Sequence, residues 1–204
     1  MNRMVLCYDT HGVNLKQLND SEGFFSPERF CVFSRDVVDA RSEHGLSVGQ
    51  RFKQVLPYVV IKKGDKYLSY SRGKVGDSRM AGNYSVGFGG HVDIDDLDSV
   101  DGNNINWKLT ALWAIERELE EELGLRKTLM DDDIGAIHVL YDGSNEVGTV
   151  HLGLVYAIEL TDKDAINATD ECKELQWYSA NELRARVADS LYEGWSAIIV
   201  NNLL

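Results

Sequence analysis

Proline is nearly missing from this 204-residue sequence: Pro27 and Pro57 are the only two. No proline-rich linker can therefore mark a domain boundary. Cysteine is almost as scarce. Cys7, Cys31 and Cys172 form an odd set with neither a metal-binding spacing nor a pairing pattern, which excludes a zinc ribbon and a disulfide framework. A reduced, cytoplasmic setting is expected. Long apolar runs are lacking too. None approaches the ~20 residues that a membrane span needs, and the apolar stretch within Met1 to Asp9 is too short for a signal peptide. Positive charge is in deficit: 21 Lys and Arg against 33 Asp and Glu leave a net charge of −12. That balance argues against a general grip on nucleic acid through phosphate contacts. It leaves room for a phosphorylated small molecule, because a bound cation reverses the local sign. Repeats and low-complexity tracts are absent, and a 44% hydrophobic content suits one domain with a full core.

What stands out instead is the run Arg117-Glu118-Leu119-Glu120-Glu121-Glu122-Leu123-Gly124-Leu125. On a helix turning ~100° per residue, Glu118, Glu121 and Glu122 share one side. Leu112, Ile115, Leu119 and Leu123 form the adjoining apolar stripe. One face can then pack into a core while a neighbouring edge presents three carboxylates. Such a cluster repels itself. It is also what a hard divalent cation needs: oxygen ligands, with room left for water and phosphate. Gly124 is expected to stop the helix in a left-handed conformation. Three glutamates alone would equally suit a solvated helix face, and the longer string decides between the two.

That string resembles the closing half of the Nudix hydrolase signature, whose fixed positions are met from Arg117 to Leu125. Phe88-Gly89-Gly90-His91 resembles the loop that opens the family's box. Gly90 lies 27 residues before Arg117, a longer interval than the family uses, and the family's early glutamate becomes Asp96. The likeness covers residues 55–204. It looks most like a bacterial subgroup described only as predicted Nudix phosphoesterases. The implied fold is α/β (α+β): a Nudix-type α/β/α sandwich with a mixed β-sheet over residues 54–204. Residues 1–53 are expected to be an extension packed on that core, shaping substrate access or a homodimer contact.

The resemblance implies water attack at phosphorus in a nucleoside diphosphate linked to another group, assisted by Mg²⁺ or Mn²⁺. It implies Glu118, Glu121 and Glu122 as metal ligands, joined by the backbone of Gly89. Arg117 is expected to orient Glu121. The general base is expected at Glu171, ahead of Trp177, with Glu174, Glu146 or the metal helix itself as alternatives. Arg72, Gly90 and His91 are the expected substrate contacts. Lys74 and Arg79 complete a cationic cluster with Arg72; solubility explains Arg72 equally well and is the better reading of the other two. Tyr70, Tyr84 and Phe88 could stack on a base, but strand packing is the better reading of each.

Strands are expected at Val55 to Ile61, Tyr67 to Arg72, Tyr84 to Phe88, Val150 to Leu160 and Gln176 to Ser179. Met4 to Tyr8 and Phe30 to Phe33 could be further strands. Residues 131–148 read as a long loop. Residues 95–107 read as an exposed insert lengthening one wall of the site. Helices at Asn181 to Ala188 and Glu193 to Leu203 are assigned to packing. Two rivals remain. A non-catalytic nucleotide-sensing Nudix module would usually have lost one of the three glutamates. The isomerase branch acting on isopentenyl diphosphate would need a cysteine in the loop before the box, and none is there.

Overall fold

A computed structural model describes residues 3–20, 23–39, 48–73, 82–98, 105–130, 136–189 and 192–204. Among these residues the strands are β1 (Met4–Asp9), β2 (Leu18–Asp20), β3 (Phe30–Ser34), β4 (Phe52–Lys63), β5 (Lys66–Arg72), β6 (Tyr84–Ser85), β7 (Gly87–Phe88), β8 (Ala136–Leu140), β9 (His151–Glu159) and β10 (Cys172–Ser179). The α-helices are α1 (Arg35–Asp39), α2 (Trp107–Leu123), α3 (Glu146–Thr149), α4 (Ala180–Asp189) and α5 (Gly194–Asn202). The fold is mixed α+β, as expected. β4 and β9 run in the same direction, with Gln54 N–H on the Val150 carbonyl at one end and Leu160 N–H on the Lys62 carbonyl at the other. β4 and β5 pair antiparallel. Both strand directions therefore occur together, as a mixed sheet requires.

The chain forms two compact units. The first holds residues 1–58, 90–115 and 136–155; the second holds 59–89, 116–135 and 156–204. In the first unit β1 pairs antiparallel with β3 and with the start of β4, and β2 pairs with β8. Val5, Leu6, Cys7, Tyr8 and Val38 are buried there. Phe25 packs within 5.0 Å of Trp107, between ring centroids, so the 23–30 loop docks on the first turn of α2. In the second unit β5 lies between β10 and the end of β4. β6 adds to β5 and β7 adds to β4.

α2 carries the predicted stripe. Leu112, Ile115, Leu119 and Leu123 are all buried, each contributing about 1.5–3 kcal/mol of hydrophobic burial. Gly124 ends the helix at φ 63°. Its N–H and that of Leu125 close back on the Glu120 and Leu119 carbonyls. The last-turn carbonyls of Glu122 and Leu123 are taken by Thr169 Oγ1 and Asn167 N–H, which satisfies groups a helix end leaves orphaned.

Three expectations need correction. Residues 131–148 are not one loop: β8 lies within them and α3 begins within them. β8 is only five residues long and follows an acidic, glycine-containing run, so its period was too brief to read. α3 forms because the Asn145 side chain caps it from Gly148 N–H. The start of the 95–107 insert is not exposed throughout. Asp96 is buried, and its carboxylate accepts the Asp93 N–H in a capping box. Residues 99–104 of the insert lie outside the described residues. Tyr84 to Phe88 is not one strand but two. The Ser85 hydroxyl oxygen accepts the Gly87 N–H, and the chain changes partner between β5 and β4 at that point.

Candidate active site

The last two turns of α2, from Glu116 onward, belong to the second unit, as do Gly89, Arg72 and Glu171. Packing of Leu119 and Leu123 draws their neighbours inward, so Glu118 and Glu122 are only 7% and 3% exposed. Glu121 stays on the rim, its side chain 57% exposed. Arg117 lies against this edge. Its Nη1 donates to Glu118 Oε1 at 2.7 Å and reaches Glu121 Oε2 at 3.4 Å. The shorter contact is thus to Glu118 rather than to the expected Glu121. Glu120 faces solvent and takes Arg126 Nε at 2.6 Å.

Glu122 is the innermost carboxylate. Its Oε2 accepts the backbone N–H of Gly89 at 2.8 Å. Burial pushes its carboxyl up to about 8. The nearby charges of Glu118 and Glu171 push the same way, against Arg72 and the Gly89 N–H.

Arg72, at the end of β5, is engaged through one of its nitrogens. Its Nε donates to Glu193 Oε2 at 2.7 Å. Burial opposes the guanidinium's charge, but Glu193, Tyr70 and Glu122 outweigh it and hold Arg72 well above its ordinary value. Glu193 is buried, and its other oxygen accepts from Ser85 Oγ at 2.6 Å and Ser196 Oγ at 3.3 Å. Sequence reasoning missed Glu193. The available signal was a glutamate where a helix start prefers Ser, Thr, Asp or Asn.

Glu171 is half-buried, in the loop leading into β10. Its carbonyl accepts Gly73 N–H at 2.6 Å, and its own N–H meets Thr169 Oγ1 at 3.3 Å. Gly73 permits this approach, since a Cβ there would collide with the Asp170 carbonyl oxygen. Glu174, the rival base, lies exposed at a bulge where β10 gains a residue on β5, at φ 54°.

Gly90, His91 and Glu146 belong to the first unit. His91 Nε2 stands 3.3 Å from His151 Nε2, and His151 Nδ1 stands 2.6 Å from the Val147 carbonyl. A carbonyl only accepts, so His151 Nδ1 carries the proton. In a neutral pair, His91 Nε2 then donates to His151. Tyr70 and Phe88 are buried and pack on each other at 4.6 Å, consistent with strand packing. Tyr84 stacks on Tyr192. Lys74 and Arg79 lie outside the described residues.

Among the described residues, no three His, Cys, Asp or Glu side chains are grouped to hold a metal ion. Arg117 engages Glu118 and Glu121 while Glu122 turns to Gly89. The donor chemistry nevertheless fits a hard divalent cation: three carboxylates on one helix edge, with Glu122 buried beside Glu118.

Residues 100–195 match the NUDIX domain family. Protein YmaB of Bacillus subtilis (strain 168) is 33% identical over 159 residues, covering 75% of this chain and 72% of that one. The chain belongs to the Nudix family. With the family comes the class of reaction, hydrolysis of phosphoric anhydride bonds. The fold agrees. The crystal structure of Tm1382, proposed to be a Nudix hydrolase, superposes at a TM-score of 0.70 with 24% identity, over 98% of this chain and all of that one. DR0079 of Deinococcus radiodurans superposes at 0.51 with 16% identity, over 80% of this chain and 96% of that one. A bifunctional NMN adenylyltransferase/ADP ribose pyrophosphatase of Francisella tularensis, crystallised with AMP and a Mn ion, superposes at 0.52 with 19% identity, over 74% of this chain and 41% of that one.

Proposed function

We propose that this Nudix protein is a divalent-metal-dependent pyrophosphohydrolase of a nucleoside diphosphate joined to another group. The observation that carries the reading is Glu122: a buried carboxylate, beside Glu118 on the same helix edge, pushed up to about 8 by that burial. A buried charge of this kind is costly unless it is paired or ligates a metal. Glu118, Glu121 and Glu122 would hold Mg²⁺ or Mn²⁺. Bound there, the ion would neutralise phosphate oxygens and ease deprotonation of water.

The chain's own groups supply the rest. Arg117 neutralises and orients Glu118, with Glu121 in reach. The Gly89 N–H fixes the Glu122 carboxylate. Glu171, steadied by Gly73 and Thr169, takes a proton from the attacking water as general base. The oxygen of that water bonds to phosphorus, and the bridging oxygen leaves with the departing phosphate. Arg72, with its charge beside Glu122, balances negative charge at the inner end of the site. Residues 1–53 act as an extension that shapes substrate access. Retention of all three glutamates favours the enzyme over a non-catalytic sensing module.

The test is a phosphate-release screen over ADP-ribose, dinucleoside polyphosphates, nucleoside triphosphates and nucleotide sugars, each with Mg²⁺ and with Mn²⁺. Turnover of one class, abolished by chelator and by Glu122→Gln, is the expected result. Metal-independent turnover, or none in any class, would overturn the reading.

A further inference from the structure

We infer that Glu193 is a positioning residue of the hydrolytic site, acting through Arg72 to set how much positive charge reaches Glu122. The inference rests on the reading of Glu122 as a metal-holding carboxylate. Glu193 opens α5, yet its side chain caps none of that helix's N–H groups. Both its oxygens turn away to Arg72 Nε at 2.7 Å and Ser85 Oγ at 2.6 Å. The carboxylate is 5% exposed. A buried ion pair is poor value for stability, since well-packed apolar residues often serve as well. This pair, however, ends beside a catalytic carboxylate. The Gly73 N–H, next to Arg72, bonds the Glu171 carbonyl at 2.6 Å, the Glu171 N–H meets Thr169 Oγ1 at 3.3 Å, and Thr169 Oγ1 donates to the Glu122 carbonyl at 2.8 Å, so the cation that Glu193 shares sits three hydrogen bonds from Glu122. The guanidinium is further confined 5.7 Å from the Tyr70 ring centroid. Arg72 is therefore bonded to one buried carboxylate and close in the fold to another, so that the charge of Glu193 bears on what Glu122 experiences. With Glu193 neutral, the whole cation would compete with a metal ion for Glu122.

A purely structural clamp joining β5, β6 and α5 is the rival account. The test is Mn²⁺ titration calorimetry on the full chain, with thermal melting of the metal-free protein alongside. Glu193→Gln should raise the Mn²⁺ dissociation constant about 10–100-fold, the range typical when a partner of a metal ligand is lost. In an Arg72→Met background the same substitution should leave that constant unchanged, because the effect runs through Arg72. Should Glu193→Gln fail to fold, Glu193→Asp keeps the charge but withdraws it by one methylene, and a smaller loss of Mn²⁺ affinity is expected. An unaltered dissociation constant in a folded Glu193 variant, or an equal loss with and without Arg72, would overturn the inference. The reading beneath it fails separately. If the unsubstituted protein binds no Mn²⁺, or Glu122→Gln binds it normally, Glu122 is not a ligand and both ideas fall. If Glu122→Gln abolishes binding while Glu193→Gln alters nothing, only the inference falls.

Discussion

Gly89 donates its backbone N–H to Glu122 Oε2 across 2.8 Å, joining the glycine loop to the carboxylate helix 33 residues further along the chain. The charge of Arg72 and this N–H together do not offset the burial of the carboxylate. The imbalance makes the site's stability depend on pH.

Glu122 ionises near 4.5 when unfolded and near 8 in the fold. Below pH 4.5 both states hold the proton and the group is neutral in its effect. Between 4.5 and 8 the unfolded chain releases the proton while the fold retains it, so stability falls as pH rises through this window. Above 8 the loss levels off. Glu122→Gln should remove this component, so that the variant gains on the parent between pH 5 and pH 8.5 in urea denaturation. Its kcat should fall by at least ~10²-fold. A parent and a variant with parallel stability profiles would show that Glu122 is solvated.

What the sequence disclosed was local. The stripe from Leu112 to Leu123, the stop at Gly124 and the β4–β5 hairpin repeat within a few residues, and all three stand in the fold. What it concealed was non-local. Glu193 meets Arg72 and Ser85 across 121 and 108 residues, and no periodic pattern records such a pairing. β8 was hidden for another reason: its partner β2 is a three-residue strand near the opposite end of the chain. The split of β6 from β7 depends on one serine hydroxyl, which a run of strand-forming residues does not advertise.

Metal should stabilise the fold in a pH-dependent way. A cation binds the ionised carboxylates, so binding must displace the proton that Glu122 retains up to about 8. Excess Mg²⁺ or Mn²⁺ should therefore raise the melting temperature more at pH 8.5 than at pH 5, by mass action on the folded state. Scanning calorimetry with a chelator control measures this. An equal shift at both pH values would place the ion on groups other than Glu122.

Gly73 should control the loop that carries Glu171. A Cβ at this position would collide with the Asp170 carbonyl, and the Gly73 N–H would lose its bond to the Glu171 carbonyl. Gly73→Ala should destabilise by about 1–3 kcal/mol, the usual cost of overpacking. It should also lower kcat by displacing the general base, with little change in metal affinity. Glu171→Gln should lower kcat without the stability loss. If Glu171→Gln retains full turnover while Gly73→Ala does not, the base lies elsewhere and the loop serves only as support.

The insert between the two halves of the box should be dispensable for folding. Its ends already meet: Asn106 N–H donates to the Asp98 carbonyl at 2.9 Å, and Asp98 N–H donates to Thr110 Oγ1 at 2.9 Å. A short turn between Asp98 and Asn106 can therefore preserve both anchors and leave α2 to start at Trp107. Loop-closure entropy varies slowly with length, so the stability change should be only ~1 kcal/mol. The segment is rich in Asp, Asn and Gly, which suits turns and a polar wall rather than a core. If it lines the substrate's path, KM rises in the shortened variant while the Mn²⁺ dissociation constant holds, because the carboxylates sit on α2 beyond the cut. Steady-state kinetics and metal titration on the same protein separate these outcomes. An unchanged KM would remove the insert from substrate binding, and loss of folding would mean that the insert supports the fold.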